Sequence, residues 1–133
     1  MAERLAEAIG DRLGVEVEAR SAGILGIQDA PADPKAVAVC RELGLDLSDH
    51  RSQPISPDLL TWADRVVVMD LEQATHMRSY YPVVGDKLLL LGPFGGTGDI
   101  ADPRGGWTWT FRRTRKLLET CIDALVRRVA RHG

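Results

Sequence analysis

The chain is organised around GDIADPRGG, residues 98–106. It lies between an apolar run at residues 87–91, which predicts a strand, and an amphipathic segment at residues 110–131, which predicts the last helix. A Gly- and Pro-rich connection that follows a strand and carries an acid is where open α/β proteins place their chemistry. Proline makes the preceding residue extended, so we expect Asp102 to be held on a fixed backbone. An ordinary Asx turn is the alternative interpretation.

The rest of the chain alternates between helix and strand. This order predicts an α/β domain with three layers and a doubly wound parallel sheet. The β-branched run at residues 65–69 is typical of a strand buried on both faces, and the pair Asp70 and Gln73 predicts a capping box for the next helix. The other predicted elements are a helix at 1–13 closed near Gly14, a strand at 15–20, a helix from the Asp33-Pro34 cap to Gly44, and a short helix opened by Ser56-Pro57.

Length and charge exclude several classes of protein. The 133 residues suit one domain, and 17 basic against 19 acidic side chains give a net charge of −2, which offers no electrostatic case for binding nucleic acid. No apolar stretch approaches the length of a membrane span, so we expect no membrane association. Cys40 and Cys121 both fall on apolar faces of predicted helices. They indicate buried thiols in a reducing cytoplasm rather than a disulfide or a metal site.

Five short motifs together carry a resemblance to a known family. The motifs are Met1-Ala2-Glu3, Ser21-Ala22-Gly23, GLDLSDHR at residues 44–51, Met69-Asp70, and Asp102-Pro103 followed by Gly105-Gly106. In this order and spacing they resemble the low-molecular-weight protein tyrosine phosphatases, and the resemblance extends over essentially the whole chain. It implies that residues 1–133 are a single domain with the phosphotyrosine phosphatase I-like fold.

The resemblance implies a mechanism and a role for each matching residue. In such enzymes a cysteine thiolate attacks phosphorus, and an aspartic acid protonates the leaving group and later activates water. By position Asp102 is that general acid and base, with Pro103 holding its loop, while Ser21 and His50 match residues that support the phosphate-binding loop. Apart from the resemblance, a serine at a strand end and a histidine in a connector are the ordinary interpretations. Asp70 is interpreted only as a helix cap.

The nucleophile of that mechanism is not found in this sequence. The family opens with a strand and a Cys-x5-Arg-Ser-Pro loop that commonly precedes Met-Ala-Glu, so the resemblance implies that the first central strand and this loop are absent and that the domain is incomplete at its N-terminus. Cys121 and Arg127 fit the Cys-x5-Arg spacing, but Cys121 lies inside a predicted helix whose N–H groups are already used. Cys40 has Asp46 where the arginine is needed. We therefore expect the chain as written to be catalytically inactive.

Residues near the acid bear on the substrate. Where the family often has aromatic residues around the phosphorylated side chain, this chain has Arg104 and Ile27, and Trp107 or Trp109 either replaces the lost stacking or packs at the entry to the last helix. The Gly-Gly after Asp-Pro resembles the bacterial branch that includes protein-arginine phosphatases. The resemblance implies a phosphorylated protein as partner and no cofactor, and it leaves phosphotyrosine and phosphoarginine as alternatives.

Three hypotheses about function remain open at this stage. The first is a cytoplasmic phosphatase of this family whose recorded start is too late by one strand and one loop. The second is a non-catalytic binding protein with a phosphatase-like scaffold. The third is a relative of the arsenate reductases, which would need further redox cysteines to form a relay.

Overall fold

The structure, a computed structural model, describes residues 1–24 and 28–132. Two short 3₁₀ segments, Pro82–Lys87 and Gly92–Gly95, flank the second strand. Within the described ranges every helix is too short or too polar to span a lipid bilayer. In chain order the elements are α1 (Ala2–Leu13), α2 (Pro34–Arg41), α3 (Pro57–Trp62), β1 (Val66–Val68), α4 (Leu71–Tyr80), β2 (Leu88–Leu90) and α5 (Thr108–His132).

The two strands form a parallel sheet that separates two layers of helices. Val66 pairs with Leu88, and α4 makes the connection from β1 to β2. Along β1 alternate side chains serve opposite layers: Val67 packs into a cluster with α1 and α5, whereas Val66 and Val68 pack into a cluster with α3 and α4. This confirms the predicted three-layer α/β fold. The expectation of full burial on both faces is wrong for Val66 and Val67, which stay half-buried because β1 pairs with a single described strand.

Local capping signals explain where the helices begin and end. The carboxylate of Asp70 accepts a hydrogen bond from the Gln73 amide at 2.7 Å, while the Gln73 side chain accepts one from the Met69 amide at 2.9 Å. The predicted box thus forms, with its second bond shifted back by one residue. Ser56 caps α3 in the same way, and Gly14 closes α1 with a left-handed φ of 71°. These predictions are confirmed.

Residues 15–20 do not form the predicted strand. Their alternation is real, because Val15, Val17 and Ala19 are half-buried while the residues between them are exposed. A strand, however, needs a neighbour to complete its hydrogen-bond ladder, and no strand in the described ranges pairs with this segment. Period-two burial without a partner gives an extended segment rather than a strand.

The long helix α5 begins at Thr108, two residues before its predicted start, and packs against α1 and α2. Among the basic residues of this helix Arg115 is buried, at 5% exposed. Arg115 donates hydrogen bonds to the Val39 carbonyl at 2.6 Å and to Glu42 at 2.7 Å. These two partners on and beside α2 replace part of the water that a buried guanidinium loses, while the buried Nε makes no hydrogen bond and lies 4.0 Å from the Glu119 carboxylate.

Candidate functional site

Asp102 lies on a loop at the carboxyl end of the parallel sheet. Two residues before it, the Ile100 amide donates a hydrogen bond to the carbonyl of Met69, just after β1, at 2.8 Å. The Ile100 side chain is 3% exposed and belongs to the core cluster shared by α1 and α5. The Asp99 carboxylate also accepts a hydrogen bond from the Leu71 amide at the start of α4, at 3.2 Å. The loop is therefore anchored to the sheet and to α4 before it reaches Asp102.

After Asp102 the chain makes a tight turn. One carboxylate oxygen of Asp102 accepts a hydrogen bond from the Arg104 amide at 2.9 Å, which is the Asx turn considered from the sequence. The Gly106 amide donates to the Pro103 carbonyl at 2.9 Å, and Gly105 occupies the turn with φ +83°, a conformation that favours glycine. The Asp102 side chain is nevertheless 69% exposed. A turn and an accessible acid thus occur together at this position.

A groove of about 230 Å³ opens beside Asp102, between this loop and the first turns of α5. Arg113 lines the groove and stacks its guanidinium on the Trp109 ring at 5.1 Å from the ring centre. The groove therefore offers a carboxylate, hydroxyl groups and a cation within one small volume. Its lining consists of Asp99, Ile100, Ala101, Asp102, Pro103, Thr110, Arg113, Thr114 and Leu117.

The two predicted support residues meet at a third side chain, Glu3. One Glu3 carboxylate oxygen accepts hydrogen bonds from both the amide and the hydroxyl of Ser21, at 2.8 and 3.1 Å. The other oxygen lies 3.8 Å from Nδ1 of His50. No local pattern in the sequence predicts a role for Glu3, although the residue is part of the Met-Ala-Glu motif. We name Glu3, Ser21 and His50 the support cluster.

Backbone pairing holds the support cluster in place. The Gly23 amide donates to the Gln53 carbonyl at 2.8 Å, and the Gln53 side chain donates to the Ser21 carbonyl at 2.9 Å. The segment that carries Ser21 is therefore fastened to the connector that carries His50. The support cluster is also linked to the loop that carries Asp102. Leu5, two residues after Glu3 in α1, packs in the same core cluster as Ile100 of that loop.

The structure describes only some of the residues predicted to form a substrate wall, and those it describes are exposed. Ile27 lies outside the described residues. Arg104 extends into solvent, with a side chain 71% exposed, and its Nε lies 3.9 Å from the Asp102 carboxylate. Trp107 is 72% exposed and Trp109 56% exposed, so both rings lie largely outside the core.

Neither cysteine has the environment of a nucleophile. Cys40 and Cys121 are fully buried in α2 and α5, and burial raises the pKa of both thiols. The Cys121 thiol donates to the Gly92 carbonyl at 3.7 Å. A reactive cysteine needs the opposite conditions, a lowered pKa and access to the substrate. Among the described residues no group of His, Cys, Asp and Glu side chains could hold a metal ion.

Comparison with known proteins gives one consistent result. Residues 1–133 match the family described as low molecular weight phosphotyrosine protein phosphatase. The chain is 32% identical over 131 residues to a protein-arginine-phosphatase of Bacillus subtilis, covering 97% of this chain and 87% of the relative. It is 34% identical over 113 residues to the probable low molecular weight protein-tyrosine-phosphatase EpsP of Ralstonia nicotianae, covering 85% of this chain and 77% of the relative.

Solved structures agree with these matches. A mutant of YwlE from Bacillus subtilis superimposes with a TM-score of 0.90 at 31% identity, covering 97% of this chain and 88% of that one. The low molecular weight protein tyrosine phosphatase from T. tengcongensis superimposes with a TM-score of 0.89 at 34% identity, covering 96% and 88%.

Proposed function

Because the chain belongs to the low-molecular-weight phosphotyrosine protein phosphatase family, we propose that it serves the hydrolysis of phosphotyrosine or phosphoarginine in proteins, with Asp102 as the general acid and base. The observation that carries this proposal is the Asp102 loop: an exposed carboxyl group at the carboxyl end of a parallel sheet, with the chain anchored to the sheet before it and closed by a turn after it. The relatives include both tyrosine and arginine phosphatases, which fits either substrate.

In the proposed reaction a thiolate attacks phosphorus, a sulfur–phosphorus bond forms, and the bond to the leaving oxygen or nitrogen breaks. Asp102 gives its proton to that leaving atom. In the second step Asp102 takes a proton from water as the water attacks phosphorus, and the thiolate is released. One oxygen of the Asp102 carboxylate is engaged by the Arg104 amide. The turn thus orients the group while the side chain remains accessible.

The thiolate is proposed to come from a Cys-x5-Arg loop outside these 133 residues. The buried, helical positions of Cys40 and Cys121 support this, because neither thiol can reach a phosphoryl group. In a protein that carries the loop, Ser21 and His50 would support it from positions fixed by Glu3. The 133-residue chain by itself is then catalytically incomplete.

Phosphorylated proteins are the proposed partners, in the cytoplasm, and the exposed residues near Asp102 are proposed to contact them. Trp107 offers an exposed ring and Arg104 an exposed cation on the loop that carries the acid. Such aromatic and arginine side chains dominate the energetics of many protein interfaces. Ile27 keeps its proposed place in the same wall.

A non-catalytic phosphatase-like binding protein is the second candidate, and the same two buried thiols favour it. The arsenate reductase alternative is disfavoured by them, because a redox relay needs accessible cysteines close to one another. The first two candidates share the scaffold and differ only in whether a nucleophile is supplied.

Two measurements test the proposal. The 133-residue chain should show no hydrolysis of p-nitrophenyl phosphate, and turnover that survives replacement of both Cys40 and Cys121 would contradict the mechanism. The intact mass of the protein isolated from its own source decides between the candidates. A mass above that of the 133-residue chain, with a peptide containing Cys-x5-Arg, supports the phosphatase. A mass equal to that of the chain supports the binding protein.

A further inference from the structure

Lys35 reaches from the first turn of α2 to the loop that carries Asp102. Its ammonium group donates a hydrogen bond to the carbonyl of Gly106 at 2.5 Å, across 71 positions of sequence. Gly106 ends the turn after Asp102, since its amide is bonded to the Pro103 carbonyl. The lysine therefore holds the last peptide group of that turn.

The ammonium group of Lys35 lies near the N-terminal end of α5, where the helix dipole disfavours a positive charge. The ammonium lies 5.9 Å from the centre of the Phe111 ring, in the first turn of α5, and Phe111 is 3% exposed. The amides of Thr110 and Phe111 both donate to the Trp107 carbonyl, so this is the N-terminal end of α5. A positive charge at a helix N-terminus opposes the helix dipole. The hydrogen bond from Lys35 to the Gly106 carbonyl gives the cation a favourable contact at this unfavourable position.

We infer that Lys35 is a positioning residue for Asp102, which it fixes by clamping the turn that follows the acid. Before Asp102 the chain is held by the bond from the Ile100 amide to Met69, and after it by the bond from Lys35 to Gly106. Only five residues, 101–105, lie between the two anchors. The turn contains adjacent glycines, whose backbone freedom is large unless an outside contact restricts it. The inference rests on the proposed role of Asp102 as the acid, but the clamp itself is independent of that role.

The test compares three variants by amide hydrogen exchange and NMR. Lys35→Met removes the donor and keeps the aliphatic stem, Lys35→Arg keeps a cationic donor, and Lys87→Met is the matched control. Lys87 makes the same kind of contact elsewhere, because its ammonium donates to the carbonyls of Leu60 and Ala63 at the end of α3. Its loss should loosen α3 and leave the Asp102 loop unchanged.

For Lys35→Met we expect amide exchange at Arg104 and Gly106 to accelerate by about tenfold or more, the range expected when a hydrogen bond to a charged group is lost. The Asp102 carboxyl ¹³C resonance should shift in this variant. Lys35→Arg should restore most of both signals. Exchange rates and an Asp102 resonance equal to those of the unmodified protein would overturn the inference, as would an equal acceleration in Lys87→Met.

A second measurement uses the unmodified protein and does not depend on the variants folding. The chain has three lysines, and Lys116 on α5 is exposed. Limited acetylation should modify Lys116 several-fold faster than Lys35. Equal acetylation rates for Lys35 and Lys116 would overturn the inference that Lys35 is held by the turn. None of these readouts involves phosphate chemistry, so failure of the clamp and failure of the proposed phosphatase activity are distinguished.

Discussion

The support cluster and the Asp102 loop are built in opposite ways. Glu3 and His50 have side chains that are 15% and 25% exposed, and their contacts join residues that are far apart in the chain. Asp102 is 69% exposed, and its carboxylate bonds to an amide two residues away. One part of the site depends on three separate segments meeting, whereas the other depends chiefly on a local turn.

This difference in burial and contacts fits the roles proposed for the two parts. A support residue must hold one position against a neighbouring loop, which partial burial and shared hydrogen bonds provide. A general acid must reach a leaving group, so it has to be accessible and oriented at once. The local turn orients Asp102 without burying it, and the contact with Lys35 adds a long-range restraint.

The largest effect is expected from Glu3→Ala in the support cluster. The change removes the acceptor for two hydrogen bonds from Ser21 and leaves a partly buried amide without its partner. We expect a loss of about 1–3 kcal/mol in the free energy of unfolding, measured by urea denaturation. Amide exchange at Ser21 should accelerate in parallel.

Glu7→Ala is the matched control on the same helix. Glu7 makes a side-chain ion pair with Arg4 at 3.5 Å, and its side chain is 33% exposed. Such pairs contribute below about 1 kcal/mol. Equal losses for the two variants would show that the support cluster is no more tightly built than the rest of the helix surface.

A smaller effect is expected from Gly105→Ala in the acid loop. Gly105 has a φ of +83°, where a β-carbon is strained, and we expect a cost of about 1 kcal/mol with little change elsewhere. Gly98→Ala in the same connection is the control, because an added β-carbon there has no atom within 4 Å. Thermal unfolding of both variants measures the difference. If Gly98→Ala costs as much, the positive φ is not what makes the turn depend on glycine.

The smallest effect concerns the junction that fixes α2, the helix of Lys35, onto α5. Hydrogen bonds from Arg112 and Arg115 lower the pKa of Glu42 from 4.5 to about 2. Because the folded-state pKa is lowered, this contribution to stability is complete above about pH 4.5 and is lost as the pH falls through 2. The difference in unfolding free energy between the unmodified chain and Glu42→Gln should therefore narrow between pH 5 and pH 2. Urea denaturation at several pH values measures it, and a constant difference would contradict the prediction.

Much of the fold could be predicted from sequence because its signals are local. The strands at Val66–Val68 and Leu88–Leu90 lie inside the two apolar runs, and Asp70 caps α4 as its spacing with Gln73 indicates. Each of these signals depends on residues within one turn or one strand. The prediction of a strand at residues 15–20 was wrong because a strand also needs a partner from elsewhere in the chain. Alternation of apolar and polar residues indicates burial but not the presence of that partner.

The candidate site was predictable only in part. Ser21, His50 and Asp102 were proposed from the resemblance, whereas the link through Glu3 depends on three segments meeting. The sequence around Lys35 does not indicate its contact with the turn at Gly106. A lysine after a helix-capping Asp-Pro looks like any solvated residue in the first turn of a helix.

The helices, the two strands Val66–Val68 and Leu88–Leu90, the caps and the turn at Asp102 follow from the sequence alone, because they depend on side-chain periodicity and on Gly, Pro and Asp chemistry over a few residues. The burial of charged side chains and the groups that they contact depend instead on how distant segments pack together. Arg115 is buried because Val39 and Glu42 supply its partners. Likewise Lys35 engages the turn at Gly106 because folding brings α2 beside it. The cost of removing a charge from water is offset only by partners from distant segments, and no local pattern records which segments will meet.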